Sequence, residues 1–551
     1  MTFAQAWSQG KQLNINAPIN QIDEERFPDA IVFTRDDSQQ VFFNHEGIDI
    51  WCDQAFYYRD KNFVKLYGSV RMQQGDSIKM SSRYAEYNGD NKFAFASGNV
   101  IMDNTDTTLN TERLFFDRKS QEAFYRTKGI VRDSATTLES QRGRYFTQQK
   151  KYQFTEDVVI TNPEYTITTD DLIYYEAVND AYFYGPSVIT GKNSKIYTER
   201  GKYNLELDRG YFVKNSRIDY DKRVVFGDSL YFDRNQNFAS ATNNIRVIDT
   251  SNQLFVRGHY AEVHRAKDSV FIEKRALAVT LEEADSVYVH ARRITITGPD
   301  SLRVLNAEPK AALFKSDLRG KSERIVSDQA TGITKMLDNP ILWSEGGQIV
   351  GDTILLKNHP STKHLDTLLV YNNAFMMKAD SLSGGYNQIK GKTLYGLFNE
   401  DNEMYQVDIK KNAEMIIYLR ETPESELYGI DQSQCGRIQM DLKDQAIQLV
   451  TKYDDVRGQV YPEEEFPQNA RLMRGAVWRG DEEPQEVLDI FRDEGPITLT
   501  PITGLPLPDL NSRFFDDVSV PLERSELNPE DIQNQAGDRP QRNFKPDPDG
   551  E

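Results

Sequence analysis

Long apolar runs are missing from this chain. No stretch approaches the ~18 residues that a membrane-spanning helix requires, so a helical membrane protein is excluded. Cysteine is scarce: Cys52 and Cys435 are the only two in 551 residues, too few for a disulfide scaffold or a Cys-based zinc module. Positive charge is short as well, with 66 Lys and Arg against 85 Asp and Glu, a net charge of −19. A nucleic-acid binder would need a basic face to meet the phosphates, so that class is set aside. No glycine-rich phosphate loop follows a strand and opens a helix. What the chain has in quantity is aromatic side chains, 28 Tyr and 29 Phe. With a mean hydropathy of −0.64, this predicts narrow cores spread along a surface-rich β protein.

Charge and proline are concentrated at one end. Residues 481–551 hold 18 acids against 6 bases and 10 of the 21 prolines. Such a segment lacks the periodic hydrophobics that would offset its ordering entropy, and it is expected to be a largely disordered tail. Phe514 and Phe515 are its candidate docking residues. At the other end, Ala4-Gln5-Ala6 has the small-x-small form of a signal-peptidase site. The basic and apolar regions that would precede it are missing, and the expectation is an exported chain with an incomplete signal peptide. The two cysteines are expected to be separate, buried thiols.

A repeat dominates the middle. Aromatics recur at Tyr58, Tyr87, Phe116, Phe146 and Tyr175, in steps of 29 or 30, and the register persists to Phe232. Each closes a short box, such as Asp170-Asp171-Leu172-Ile173-Tyr174-Tyr175. A turn follows, as in Arg59-Asp60-Lys61-Asn62, and then a second strand with a glycine-led column: Gly68-Ser69-Val70, Gly98-Asn99-Val100, Gly129-Ile130-Val131, Gly185-Pro186-Ser187-Val188. Asp157-Val158-Val159 fills the remaining slot. Period-2 alternation broken by Asn, Asp, Gly and Lys turns predicts antiparallel hairpins that must stack to bury their apolar faces. The fold class is all-β, an elongated stack of antiparallel strands in ~29-residue repeats. Spacing loosens between about 270 and 340. The stretch from Gly391 to Gly480 reads as a terminal unit closed by Trp478 and the Tyr461–Phe466 segment.

Catalytic chemistry finds little support. Gly227-Asp228-Ser229-Leu230 spells a lipase block, but no Asp-x-x-His follows to supply the base, and Gly351-Asp352-Thr353 occupies the same slot. It reads as repeat punctuation. The histidines are scattered, His359 and His364 have no third ligand in sequence, and no metal, cofactor or catalytic residue is assigned.

The small-Asp-x-x-x-aromatic box, the turn and the aromatic-x-x-Gly-Asn-Val of Arg83 to Val100, repeated over Asp170 to Val188, resemble the OstA/LptA family. These are periplasmic β-jellyroll proteins of lipopolysaccharide export, and the overall architecture is similar to the long OstA-like proteins of Bacteroidetes-type bacteria. The resemblance implies an open, V-shaped jellyroll whose apolar interior holds acyl chains. It also implies partnership with an inner-membrane extractor, an outer-membrane translocon or further copies stacked end to end, and a periplasmic location. The chain is far longer than the short bridge proteins and lacks a translocon barrel. Groove candidates are Val70, Val100, Val131, Val159 and Val188 with Phe56, Leu114, Ile173 and Leu230; as alternatives they are ordinary core. The organisation expected is an exported segment 1–27, jellyroll repeats 28–270, irregular repeats or a seam over 271–340, a second array with its cap 341–480, and the tail 481–551. The function expected is non-enzymatic binding of lipopolysaccharide or a related acylated glycolipid, with a structural or polysaccharide-binding β-solenoid as the alternative.

Overall fold

A computed structural model describes residues 13–506 except 77, 105–106, 221, 252, 282–284, 300–301, 360–363, 381, 423–424 and 444–445. The signal-peptidase-like site and the Phe514–Phe515 pair lie outside the described residues. Every strand pairing is antiparallel, and the remaining elements are short 3-10 turns, so the all-β expectation holds.

Strands of 11 to 16 residues follow one another as a meander, from Phe63–Gln74, Ile78–Asn88 and Phe93–Asn104 to Met404–Leu419 and Gly429–Lys443. Two strands make up each ~29-residue repeat. The boxes end in tight turns, Arg59–Lys61, Glu176–Val178 and Arg265–Lys267, each closed by a left-handed residue (Asn62, Asn179, Asp268), a conformation Asn and Asp tolerate.

Each long strand bends once. The ladder shifts register there, between Tyr67 and Val70, Val213 and Ser216, or Lys410 and Ala413, because the bending strand carries one extra residue. Two residues at positive φ make the bulge: Gly68-Ser69, Gly98-Asn99, Glu156-Asp157, Lys214-Asn215, Asn243-Asn244, Asn372-Asn373 and Lys411-Asn412. The residue after each pair points inward and is buried: Val70, Val100, Val158, Ser216, Ile245, Ala374, Ala413. The bend divides every strand between two walls. This is plain where the strand breaks: Glu122–Tyr125 pairs with one half of Thr107–Asp117, and Gly129–Arg132 with the other. We call the half carrying the aromatic box the first wall and the other the second.

The neighbouring strand passes the corner without a bulge and places a hydroxyl there. Ser82, Thr111, Ser140, Thr169 and Thr198, 29 residues apart, are buried. Each donates to the carbonyl two residues on, at 2.9 to 3.4 Å, which satisfies the polar groups of the bend.

Three expectations about organisation are corrected. The irregular stretch is not 271–340: Ser269–Leu281 and Ser286–Thr297 are regular, and the walls separate into short strands from Val304–Glu308 to Thr353–Asn358. The last strands, Ala446–Tyr453 and Arg457–Tyr461, remain largely exposed, with Leu449 at 55% and Val460 at 54%; Phe466 packs on Tyr461 at their end without closing the array. Instead 462–506 turns back and runs as a strap along the outer face of the second wall, crossing to the first-wall side at 503–506 where it meets Tyr211 and Tyr184, so 481–506 is packed rather than disordered. Phe466 joins Ile416, Tyr418 and Ile430, and Ile490 joins Leu277, Val279, Ala312 and Phe314. Three amides clamp the strap backbone with both donor and acceptor. Gln388 brackets Arg471 O and Met473 N, Gln348 brackets Val477 O and Arg479 N, and Asn243 takes both groups of Thr500, all at 2.6 to 3.1 Å.

Candidate functional site

The two walls face each other across one continuous apolar interior. Val64 and Leu66 from the first wall and Val70, Met72 and Met80 from the second belong to one cluster that continues strand by strand to Met440. Toward the amino-terminal end of the described array a cleft enters this interior between the wall tips, lined by Ile48, Met72, Met80, Met102, Phe116 and Tyr145 among others. Its enclosed volume is about 30 Å³, room for a water or two. Three methionines line it, the side chains best able to reshape around a different occupant.

Polar contacts span the mouth from tip to tip. Lys92 Nζ meets Glu46 Oε2 at 2.7 Å, and Arg118 donates to the Glu46 carbonyl at 3.1 Å and to the Tyr87 hydroxyl at 2.9 Å. His45 Nδ1 shares a 2.7 Å hydrogen bond with the same hydroxyl. Further along, Asn104 donates to Tyr145 at 3.4 Å, Arg234 pairs with Glu164 at 3.3 Å, Arg265 with the Tyr220 hydroxyl, and Arg303 with Asp249 at 3.0 Å. The walls are thus latched together at their open side by groups that range from buried (His45, Tyr87, Asp249) to half-exposed, and anything entering the interior from this side would have to part these latches.

Sequence-derived groove candidates divide between the faces. Val70, Val100, Leu114 and Leu230 lie in the interior cluster, and Val131 packs against it, half-buried. Val159 and Val188 are turned the other way: their neighbours Val158, Ile160, Ser187 and Ile189 fill the interior. Phe56 also faces outward, packing on Phe27 and Tyr67, and Ile173 is buried on the outer side while Leu172 points in. The physical reason is the bulge. Aligning repeats by their glycine or valine ignores which residue is the extra one, and a one-residue slip exchanges the faces.

The lipase-like block is a length of strand crossing the corner, with Gly227 at the position that holds the hydroxyl in earlier repeats, Ser229 buried two residues on and Leu230 in the core. Cys52 and Cys435 are unpaired and buried, and burial pushes the Cys52 thiol up to about 12. Among the described residues no cluster of three metal-ligating side chains occurs, and no helix is long and apolar enough to cross a membrane. Sequence reasoning missed the corner hydroxyls and the mouth latches. The first left a signal, Ser or Thr at a constant step of 29; the latches left none, joining residues 31 to 72 apart in sequence.

Residues 16–170 match the family model described as OstA-like protein. Among solved structures the chain is similar to LptH of Pseudomonas aeruginosa, the LptA-homologous periplasmic component of a lipopolysaccharide transport device. Identity is 12% and the TM-score 0.20, over 27% of this chain and 99% of that one. No curated protein matches. The cleft, the first latches and the regular corners between 48 and 147 all fall inside the matched segment, and it is over residues 16–170 that the chain is similar to the OstA-like family.

Proposed function

We propose that the chain is a non-enzymatic, periplasmic carrier that takes the acyl chains of lipopolysaccharide or a related acylated glycolipid between its two walls. The observation that carries this is the continuous apolar interior with a methionine-lined cleft at its mouth, inside the OstA-like segment. Binding needs no catalytic group, since each buried CH₂ contributes about 0.8 kcal/mol. The latches open for cargo and close behind it. Exposed Leu449 and Val460 at the terminal strands support a partner seated end-on, another jellyroll transport protein or a second copy, because an open strand edge invites pairing. The filled interior favours a second reading, a structural array without cargo.

A photo-crosslinking amino acid at Val100 or Leu114, compared with one at Val159 or Val188, tests the proposal in cells that export the protein. Lipid adducts at the first pair and none at the second are expected. Adducts of equal yield at both pairs, or at neither, would sink the carrier reading, and silence at both in a folded protein would favour the array.

A further inference from the structure

The strap leaves part of the second wall's outer face uncovered. Across neighbouring strands one row there reads Arg217, Phe226, Arg246, Arg257, Leu277. Arg246 and Arg257 stand directly opposite each other, an arrangement in which like charges destabilise a sheet. Arg217 is paired with Asp219 at 2.7 Å, whereas among the described residues neither Arg246 nor Arg257 has a carboxylate within ion-pair distance. Both guanidinium groups are held over aromatic rings, Arg246 4.8 Å from the centre of Phe226 and Arg257 4.7 Å from that of Phe255. Stacking of this kind leaves the N–H edges free to meet an oxyanion.

Beside this pair a cavity of about 1190 Å³ opens between wall and strap. Phe255, Leu277, Val279 and Tyr288 form its floor, and Val487 and Leu488 of the strap its far side. Leu488 is 70% exposed, an apolar side chain projecting from the strap. Asp228, the acidic residue among those lining the cavity, accepts a hydrogen bond from Asn244 at 2.8 Å. Further along the same face, strap acids meet its basic groups: Glu483 with Arg319 and Asp493 with Lys321 at 3.4 Å, Glu494 with His290 at 3.5 Å. The strap bends away to Asn243 before it reaches Arg246 and Arg257, so the same chemistry continues there without its counter-charge.

We propose that this groove binds an anionic amphiphile, its oxyanion bridging Arg246 and Arg257 and its apolar arm lying on Phe255, Leu277 and Val279 beneath Leu488. The site is separate from the interior: in the strand Ser269–Leu281, Ala276 and Ala278 face the interior while Leu277 and Val279 face the groove. It therefore stands or falls independently of the carrier reading.

Titration calorimetry on the full chain, with dodecyl phosphate below its micellar concentration and with inorganic phosphate, tests it. The wild type is expected to bind dodecyl phosphate at least about tenfold more tightly than inorganic phosphate, and R257E to bind it at least about tenfold more weakly. Unchanged affinity in R257E would place the ligand elsewhere and overturn the proposal; equal affinity for both probes would remove the apolar arm. Without ligand, R257E replaces a repulsive pair by an attractive one and is expected to melt higher than wild type. A lower melting temperature would overturn the premise of an uncompensated charge pair.

Discussion

Asp171 illustrates how the corner treats a charged side chain. It lies on the first-wall side of the bend, opposite Thr155 and Tyr184, and burial with the adjacent Asp170 pushes its carboxyl up to about 6. The folded state therefore holds this proton more tightly than the unfolded chain, whose carboxyl titrates near 3.9. Above pH 6 the ionised group costs stability. The cost fades as pH falls through 6, and below the unfolded value both states are protonated. Asp171→Asn is expected to stabilise the protein by on the order of 1–2 kcal/mol near pH 8 and by almost nothing near pH 4. Urea denaturation at both pH values checks this; an equal gain at both would show that titration is not the cause.

At the scale of the strand, the bulge governs everything built on it. Two left-handed residues turn the chain from one wall to the other, and the next side chain enters the core. Lys411 and Asn412, at φ 66° and 54°, are exposed, so a substitution there reads backbone strain with little loss of packing. Asn412→Val is expected to destabilise by about 1–2 kcal/mol, because a β-branched residue resists the left-handed region, while Asn412→Gly stays within about 0.5 kcal/mol. Melting curves of the two variants decide the matter; similar losses in both would mean that the Asn side chain, not the conformation, is what counts. The strands, their turns and the 29-residue period were legible in the sequence, because Tyr58, Tyr87 and Phe116 recur beside turn residues that punctuate each hairpin. Inward and outward faces were only half legible. Val70 and Val100 follow Gly-Ser and Gly-Asn bulges and point in, whereas Val159 and Val188 each stand one place further on and point out.

At the scale of the whole described array, the strap runs along the second wall from the strand Gly429–Lys443 and ends on the first-wall side of the corner at Tyr184, whose hydroxyl donates to Pro506 O at 3.1 Å. Gln348 and Gln388 are 1% and 0% exposed, and each clamps strap backbone that water would otherwise satisfy. Replacing both by Ala is expected to cost about 1–3 kcal/mol per site in strap docking. Limited proteolysis should then cut within 462–506 while the two-walled array keeps most of its melting temperature. If the strap stayed as protected as in wild type, the apolar contacts of Phe466 and Ile490 alone would be holding it.

By itself the sequence determined the strand class, the repeat, the turns and the apolar character of the interior, since these follow from local periodicity and from residues tied to particular backbone conformations. Composition misjudged 481–506 because its acids and prolines describe a segment unable to build a core of its own. That segment uses a core face already made, with His290, Arg319, Lys321 and the clamping amide of Asn243 waiting on the wall. Only the tertiary structure decided the latches across the mouth, the course of the strap and the facing pair Arg246 and Arg257. Each joins residues from separate strands or from distant parts of the chain, and strand register, which no local pattern encodes, sets which of them meet.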